Sequence, residues 1–221
     1  MSTLVTSPVA PLLSRLFEQA AGASPESVPA LAALSREERS RLMQSKTDYA
    51  ALYGRLKDLP LAVSRETGTL LYMLARSCRA RSIVEFGTSF GISTLCLAAA
   101  LRDNGGGRVI TTELEPSKAA RARENLTAGG LLDLVEIREG DALRTLSVNL
   151  PERVDLLLLD GAKALYPEIL SLVEGRLGPG AFIVADNADY SPDYLAHVRS
   201  PANGYLSTPV AEDVELSLRL G

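Results

Sequence analysis

Residues 154–163, Val-Asp-Leu-Leu-Leu-Leu-Asp-Gly-Ala-Lys, and residues 181–187, Ala-Phe-Ile-Val-Ala-Asp-Asn, are apolar runs that each stop at a carboxylate. This pattern is typical of a strand that is buried on both faces and ends at a crevice. If the two strands are parallel neighbours, Asp160, Lys163, Asp186 and Asn187 meet at one end of one sheet. Hard oxygen ligands beside an amine suggest a divalent cation and a base there.

From residue 81 onward, strand-like and helix-like segments alternate. The pattern predicts strands at 81–86, 108–113, 135–139, 154–160 and 181–186, and helices at about 91–102, 116–129, 142–147 and 165–177. Such alternation predicts an α/β fold with a parallel sheet and right-handed crossovers. Gly178-Pro179-Gly180 is interpreted as a turn before the fifth strand, and residues 192–199 as a helix.

The two ends of the chain differ from this middle part. Up to about residue 79 the periodicity is helical, with Ser24 and Ser64 as capping residues and a capping box from Ser35 to Glu38, which opens a charged segment that runs to about Leu56. Residues 204–211 and 213–220 resemble two strands joined by a short acidic turn. We expect this tail to close the sheet as an antiparallel hairpin.

Composition limits the class of protein. The 221 residues are 46% hydrophobic, enough for one large core, and the net charge of −4 without a basic run argues against nucleic-acid binding. The two cysteines fit free thiols in a reducing cytosol, and a single histidine makes a histidine-based metal site unfavourable. Residues 1–11 do not read as a signal peptide, and no apolar run is long enough to span a membrane.

A glycine-bearing turn follows the first strand, in Glu85-Phe-Gly87-Thr-Ser89-Phe-Gly91. Its spacing differs from the dinucleotide fingerprint Gly-x-Gly-x-x-Gly, which favours an adenosine ligand without phosphates. Glu113 ends the second strand and can accept hydrogen bonds from ribose hydroxyls, and Asp141 ends the third and could face adenine. Each acid taken alone could equally cap the helix that follows it. Four consecutive strands ending in an acid favour a ligand site.

These motifs resemble the class I S-adenosylmethionine-dependent methyltransferases, and among them the cation-dependent O-methyltransferases typified by catechol O-methyltransferase. The resemblance runs from about Ser64 to the C-terminus and rests most on Asp160-Gly-Ala-Lys163 followed by Asp186-Asn187. It implies a Rossmann-like fold with a seven-stranded, mostly parallel sheet, in a domain over 64–221 with an N-terminal helical cap or lid over 1–63.

The resemblance also implies cofactors and site residues. S-adenosylmethionine would be bound by Glu85, Gly87, Ser89, Ser93, Glu113, Asp141, Ala142 and Asp160. Mg²⁺ or another divalent cation would be bound by Asp160, Asp186 and Asn187. Lys163, with a pKa depressed by burial and the cation, would be the general base. Taken alone, each of these residues could equally have a purely structural role, as a helix cap, a solvated lysine or part of an Asx turn.

The expected reaction is methyl transfer to a hydroxyl of a small aromatic diol, in a cytoplasmic homodimer that binds neither DNA nor membranes. Many bacterial relatives carry Asp-Ala-Asp-Lys where this chain has Gly161 and Ala162 in the middle, so a polar or aromatic contact beside the cofactor is missing, and the chain has no tryptophan to frame a catechol ring. A carboxylate for the second catechol hydroxyl is expected among Glu212, Asp213 and Glu215. The stretch 36–57 is expected to form a lid, and Leu59, Leu61 and Val63 to wall the substrate pocket.

Two other functions remain open from the sequence. One is O-methylation of a hydroxylated tRNA nucleobase, which the acidic net charge disfavours. The other is binding of S-adenosylmethionine without catalysis, which the intact Asp160, Lys163, Asp186 and Asn187 set disfavours. His197, in the middle of a predicted helix, is interpreted as a packing or surface residue.

Overall fold

The computed structural model describes residues 2–23, 28, 32, 34–211 and 213–221. The strands are β1 Ser82–Phe86, β2 Arg108–Glu113, β3 Val135–Glu139, β4 Val154–Leu159, β5 Leu177–Ala185, β6 Tyr205–Pro209 and β7 Glu215–Arg219. The helices are α1 Val9–Ala21, α2 Arg36–Met43, α3 Tyr49–Arg55, α4 Arg65–Ser77, α5 Ile92–Asp103, α6 Pro116–Ala128, α7 Ala142–Thr145, α8 Tyr166–Val173 and α9 Pro192–Val198.

All seven strands form one sheet in the order β3-β2-β1-β4-β5-β7-β6. Strands β1 to β5 are parallel, and β7 runs antiparallel to both β5 and β6. The predicted Rossmann-like fold with an antiparallel hairpin at its end is therefore confirmed. Because the chain order reverses between β1 and β4, a crevice opens at the carboxyl ends of these strands, where α/β sheets bind ligands.

The pairing of β4 with β5 brings the two quoted sequence stretches together. Leu159 lies opposite Ala185, so Asp160 and Asp186 follow side by side at the carboxyl edge. The amide of Asp186 donates to the carbonyl of Leu159 over 2.9 Å, and the amide of Asp160 donates to Phe86 over 2.8 Å. The predicted adjacency of the two strands is thus confirmed.

The start of β5 differs from the prediction. Gly178, Pro179 and Gly180 lie within the strand instead of in a turn before it. Val154 pairs with Leu177 but Leu156 pairs with Phe182, so β5 carries extra residues in a bulge, and Gly180 adopts a positive φ of 83° there. The sequence signal was read correctly as a break in regular backbone, but the break lies inside the strand.

Two predicted helices are shorter than expected. Helix α7 ends at Thr145, and the stretch 165–177 holds α8 flanked by 3₁₀ turns at 163–165 and 174–176. The charged segment 36–56 is split into α2 and α3. The capping box of Ser35 with Glu38 and the cap of Ser64 on Thr67 are both present, whereas Ser24 lies outside the described residues.

The core has two layers, one on each face of the sheet. Helix α5 is buried almost throughout because it lies between the sheet and α1, whose Leu12, Leu13 and Leu16 pack on it. On the other face, Tyr166 and Ile169 of α8 pack against β4 and β5. Helix α1 therefore belongs to the main core, and the predicted domain boundary at residue 63 stays a prediction.

Helix α2 and part of α3 pack in a third group of apolar side chains, while Tyr49 and Tyr53 of α3 pack against the core layer that contains α8. Leu52 and Leu56 form a small apolar cluster of their own with Leu59, Leu61 and neighbouring side chains. This segment covers the carboxyl edge of the sheet. The two cysteines, Cys78 and Cys96, are free thiols, as expected. In the described ranges, every helix is too short or too polar to cross a membrane.

Candidate active site

The turn after β1 is shaped by close approach of backbone segments. Gly87 has a φ of +104°, and a Cβ atom at this position would lie 2.6 Å from the carbonyl oxygen of Asp160, so only glycine fits. Ser89 is left-handed, with a φ of +49°, and its amide donates to Oε2 of Glu113 over 2.7 Å. The turn is thus tied to the ends of β4 and β2.

Glu113 is held by backbone amides. Its Oε1 accepts from the amide of Glu115 over 2.9 Å, while Oε2 takes the bond from Ser89. Burial raises the pKa of Glu113, against the effect of these amides and of Lys118. Each oxygen retains a lone pair after one such bond, so the carboxylate can still accept from a ligand hydroxyl.

Asp141 caps a helix and also faces the crevice. Its Oδ1 accepts from the amide of Leu143 over 2.9 Å at the start of α7, and its Oδ2 accepts from the hydroxyl of Tyr49 over 3.0 Å. The capping interpretation of Asp141 is therefore correct. It does not compete with a ligand role, because the side chain also lines the pocket described next.

A pocket of about 620 Å³, part of it open to solvent, lies between the strand ends and α3. Six of the eight predicted cofactor residues line it, namely Gly87, Ser89, Glu113, Asp141, Ala142 and Asp160. Further lining residues were not predicted, among them Tyr49, Tyr53, Phe86, Thr112, Leu114, Glu115, Lys118, Gly161 and Leu165. The one signal for the tyrosines was their spacing of four residues in the charged segment, which places them on one helix face.

The other two predicted cofactor residues lie behind the pocket wall. Glu85 is fully buried and accepts hydrogen bonds from Ser93 Oγ over 2.6 Å and Thr94 Oγ1 over 2.5 Å. Burial raises the pKa of Glu85 to about 7, although these hydroxyls act in the opposite direction. Glu85 and Ser93 therefore connect β1 to α5 beneath the glycine turn and support it from below.

The pocket wall carries polar atoms without partners. Ser89 Oγ and Thr112 Oγ1 are buried and have no hydrogen-bond partner among the described residues. Buried hydroxyls are nearly always hydrogen-bonded in proteins, so two orphans in one pocket indicate a polar ligand. A nucleoside, with ring nitrogens and ribose hydroxyls, has the complementary chemistry, and the pocket is in the size range of small-ligand sites.

At the ends of β4 and β5, charged groups lie close together. Lys163 is 4% exposed, and its Nζ donates to Oδ1 of Asp160 over 2.7 Å. Burial lowers the pKa of Lys163, but the charge of Asp160, with smaller effects from Tyr166, Tyr53 and Asp186, holds it well above its usual value. The expectation of a depressed pKa is therefore wrong for these protein groups alone, because the ion pair outweighs burial.

Asp186 lies beside this pair. Burial, followed by the neighbouring Asp160 carboxylate, raises the pKa of Asp186 to about 7, while Lys163 acts in the opposite direction. Asn187 has a left-handed φ of 49°, and its Nδ2 donates to Oδ2 of Asp213 over 2.7 Å. This bond uses the amide nitrogen and does not engage the amide oxygen.

These donors suit a hard cation. Two carboxylates and an amide oxygen are ligands that Mg²⁺ prefers, and a cation would offset the repulsion between Asp160 and Asp186. Within the described ranges, three or more His, Cys, Asp or Glu side chains do not come together as a metal cluster. The candidate set is not such a cluster, since its third member is the amide of Asn187.

The structure distinguishes among the three acids that were predicted as candidates for a substrate contact. Asp213 is exposed and bonded to Asn187, whereas Glu215 is 1% exposed and bound by both guanidinium arms of Arg199 over 2.8 and 2.7 Å. Glu212 lies outside the described residues. Asp213 is therefore the better candidate for a substrate contact, since Glu215 is already engaged in an ion pair.

Two more predictions concern the pocket walls and the histidine. Leu61 lines the pocket, while Leu59 packs in the small cluster around Leu52 and Val63 is 3% exposed. His197 lies 3.5 Å from Glu174 and stacks near Tyr205, on contacts that do not include the pocket residues. Its interpretation as a packing or surface residue is confirmed.

Helix α3 covers the pocket through its two tyrosines. The hydroxyl of Tyr53 donates to the carbonyl of Gly161 over 3.1 Å, in addition to the bond between Tyr49 and Asp141. Residue 161 must be glycine, because a Cβ atom there would lie 2.5 Å from the ring of Phe86. Phe86 and Tyr53 are thus two aromatic residues of the pocket wall beside Gly161 and Ala162.

Comparisons with known proteins agree with this architecture. A family model described as a methyltransferase domain matches residues 84–188. The catechol O-methyltransferase of Niastella koreensis is 38% identical over 130 residues, which cover 58% of this chain and 58% of that protein. The catechol O-methyltransferase of Sus scrofa is 32% identical over 151 residues, which cover 65% of this chain and 80% of that protein.

A solved structure extends the similarity over most of the chain. The O-methyltransferase TomG from Streptomyces achromogenes, crystallised in complex with SAM, is 29% identical with a TM-score of 0.64. The alignment covers 85% of this chain and 100% of that one. In sequence, by contrast, the chain spans under three fifths of the length of the Niastella relative.

Proposed function

Because the chain belongs to the class I S-adenosylmethionine-dependent methyltransferases, in the family that includes the catechol O-methyltransferases, we propose that it methylates a hydroxyl of a small catechol-like aromatic. The methyl donor is S-adenosylmethionine, and a divalent cation, Mg²⁺ in the first instance, assists. The observation that supports this most is the grouping of Asp160, Lys163 and Asp186 at the adjacent ends of β4 and β5, beside a pocket suited to a nucleoside.

The cofactor would occupy the pocket beneath α3. Glu113 would accept hydrogen bonds from the ribose, since both its oxygens are fixed by backbone amides and keep free lone pairs. Gly87 would let the cofactor approach the backbone, and Asp141 and Ala142 would face the base. Glu85 and Ser93 would act from behind, by holding β1 and α5 in the geometry that the glycine turn requires.

Asp160, Asp186 and Asn187 would hold the cation. When bound, S-adenosylmethionine supplies the methyl group and the cation lowers the pKa of the bound hydroxyl and orients it. Asp213 would accept a hydrogen bond from the second hydroxyl of the diol while it fixes the amide of Asn187. A vicinal diol fits this set better than a single phenol, because two adjacent oxygens can meet two neighbouring partners.

Lys163 would accept the hydroxyl proton at Nζ. Its ion pair with Asp160 holds the ammonium form, so the base role requires that another positive charge neutralise Asp160. The candidate cation site includes Asp160, which makes the base assignment and the cation assignment depend on each other. A positioned base of this kind contributes about 10²–10⁴-fold to the rate.

Helix α3 would act as a lid. Tyr49 and Tyr53 bind groups on the pocket rim, and closure over the cofactor would exclude water from the transfer step. Besides these two hydrogen bonds, opening would break the packing of both tyrosine rings on the core and the ion pair of Lys46 with Glu168. A homodimer in the cytoplasm stays a prediction.

The test is methyl transfer from S-adenosylmethionine to a small panel of catechols, with products identified by mass, in Mg²⁺, in chelator, and after Mg²⁺ is restored. We expect turnover that chelation abolishes and Mg²⁺ restores. Asp186→Asn should lose at least about tenfold in turnover, while binding of S-adenosylhomocysteine stays within twofold of the wild type.

Asp189→Asn is the matched control, since Asp189 is exposed and three positions away. Turnover that persists in chelator would contradict the proposed role of a divalent cation. If the protein binds S-adenosylhomocysteine but methylates none of the diols, the proposed substrate class is wrong. The proposed cofactor site would still be supported by the binding.

A further inference from the structure

Lys118 is a buried lysine for which the proposed reaction has no role. It lies in the first turn of α6, it is 3% exposed, and it lines the pocket beside Glu113. Among the residues that the structure describes, none forms a hydrogen bond or an ion pair with its Nζ. The other buried lysine, Lys163, is by contrast paired with Asp160 over 2.7 Å.

Such a side chain is unusual in a folded protein. A lysine of which only 3% is exposed is usually paired with an acid, because an amine that loses most of its water without gaining a partner is costly. Burial lowers the pKa of Lys118, and the carboxylates of Glu113 and Glu115 act in the opposite direction. Charged or neutral, the nitrogen remains a hydrogen-bond donor, so a ligand oxygen in the pocket would complete its surroundings.

The presence of Lys118 and Glu113 in the same pocket lining indicates which ligand group this is. A carboxylate only accepts hydrogen bonds, so Glu113 takes the protons of ribose hydroxyls and leaves their oxygens without a donor. An ammonium only donates. A hydroxyl placed between the two groups would be satisfied as donor and as acceptor at once, which neither residue achieves alone.

The position of Lys118 in the sheet supports the ribose over the amino-acid end of the cofactor. Lys118 follows β2, whereas the cation and base candidates follow β4 and β5, with β1 lying between β2 and β4. The transferred methyl group must lie beside the latter groups. The ribose, which is linked to the sulfur by one carbon, is the cofactor part that reaches back toward β2.

We propose that Lys118 is a second ribose-binding residue, which donates a hydrogen bond to a hydroxyl oxygen whose proton Glu113 accepts. The inference rests on the cofactor site proposed above. It makes Lys118 a determinant of cofactor affinity and of selectivity for a hydroxylated ribose, with no part in the chemistry of methyl transfer.

The experiment is a calorimetric comparison of S-adenosylhomocysteine with its 2′-deoxy and 3′-deoxy analogues, on the wild type and on Lys118→Met. The substitution keeps the apolar stem and removes the donor. We expect about tenfold weaker binding of S-adenosylhomocysteine, the usual size for a charge-assisted hydrogen bond. One of the deoxy analogues, which the wild type binds about tenfold more weakly, should lose no further affinity in the variant.

Lys57→Met is the matched control, because Lys57 is exposed and lies after the end of α3, and it should leave every affinity within twofold. Lys118→Gln, a shorter neutral donor, replaces Lys118→Met if the latter does not fold and should lose the same discrimination. Thermal melting of each variant establishes that it is folded.

Three outcomes would overturn the inference. Lys118→Met could bind all three ligands like the wild type, or lose the same factor for all three. It could also lose affinity for S-adenosylhomocysteine but not for 5′-methylthioadenosine, which would assign Lys118 to the amino-acid end. Failure of the wild type to bind S-adenosylhomocysteine would instead reject the cofactor site itself, and this inference with it.

Discussion

The carboxyl edge of the sheet holds its carboxylates in two different ways. On the β2 side, Glu113 receives two backbone amides, so its position is fixed by the glycine turn and by the start of α6. On the β4 and β5 side, Asp160 and Asp186 lie beside each other, and the ammonium of Lys163 pairs with Asp160. Backbone hydrogen bonds therefore fix the carboxylate on the β2 side, whereas the carboxylates on the β4 and β5 side depend on neighbouring charges.

This difference indicates what each half requires from its ligand. A carboxylate fixed by amides is preorganised and needs only a donor of matching shape, such as a ribose hydroxyl. Burial, followed by the neighbouring Asp160 carboxylate, raises the pKa of Asp186 to about 7, so these two adjacent carboxylates lack positive charge. The first half suits a neutral polar ligand, and the second suits a further cation.

Removal of the amine on the β4 side should separate the two halves most strongly. Lys163→Ala is expected to reduce kcat about 10²–10⁴-fold, because it removes the proposed base. Binding of S-adenosylhomocysteine should stay within twofold, since Lys163 is not among the pocket-lining residues. Single-turnover rates and calorimetry on the same preparation measure the two effects, with Lys57→Ala as the exposed control.

Near-normal turnover in Lys163→Ala would remove the base assignment. An equal loss of cofactor binding would mean that the two halves are not separable, and that the ion pair of Lys163 with Asp160 organises the whole edge.

A pH experiment sharpens the comparison next. Glu85 has a folded-state pKa of about 7 against an ordinary 4.5, so the folded protein binds more protons than the unfolded chain between these values. Stability therefore falls as pH rises through this window, by up to roughly 3 kcal/mol, and is level above it. Glu85→Gln should remove this part of the decline, leaving the part that Asp186 contributes.

Urea unfolding at pH 5 and pH 8 measures the free energy of unfolding for the wild type and for Glu85→Gln. Glu124→Gln, on an exposed face of α6, is the control and should follow the wild type. An identical pH dependence in the wild type and in Glu85→Gln would show that burial does not perturb Glu85 as described.

The smallest expected effect concerns the lid, which contacts both halves. Tyr53→Phe removes one hydrogen bond, to Gly161 at the β4 end, and keeps the ring over the pocket. A neutral bond of this kind contributes about 1 kcal/mol, so KM for S-adenosylmethionine should rise up to about fivefold with kcat little changed. Tyr190→Phe, with a side chain 37% exposed, serves as control.

A rise in KM that also appears in Tyr190→Phe would assign the effect to general loosening instead of to the lid. A fall in kcat with unchanged KM would mean that Tyr53 acts in the methyl-transfer step and not in cofactor binding. The lid would then contribute to the β4 and β5 side of the site as well as to the β2 side.

Much of the edge could be predicted because strand ends are local signals. The runs that stop at Asp160 and Asp186, and the acids at Glu113 and Asp141, are visible as abrupt changes from apolar to charged residues. The regular alternation with helices predicted a parallel sheet, whereas the adjacency of β4 and β5 was assumed and is shown by the structure. Whether an acid caps a helix or faces a ligand could not be read in this way, and Asp141 does both.

Other features depend on residues far apart in the chain. Tyr53 meets Gly161 across 108 positions, and Lys46 pairs with Glu168 across 122, so nothing near them in sequence announces the lid contacts. Burial lowers the pKa of Lys163 and its ion pair with Asp160 holds that pKa well above its usual value in the absence of a cation; the burial is visible in the sequence, whereas the ion pair is not. Lys118 carried no signal beyond being a lysine at the start of a helix.

The sequence by itself determined the fold class, the order of the strands that carry acids, and the set of residues that gather at one edge, because periodicity and run length act over a few residues. Tertiary structure alone decided which of those groups keep a free lone pair and which are neutralised. Lys163 received a partner, Lys118 did not, and Glu85 was placed behind the wall. Hydrogen bonds and charge pairs depend on distances of about 3 Å, and only the packed chain fixes distances at that scale.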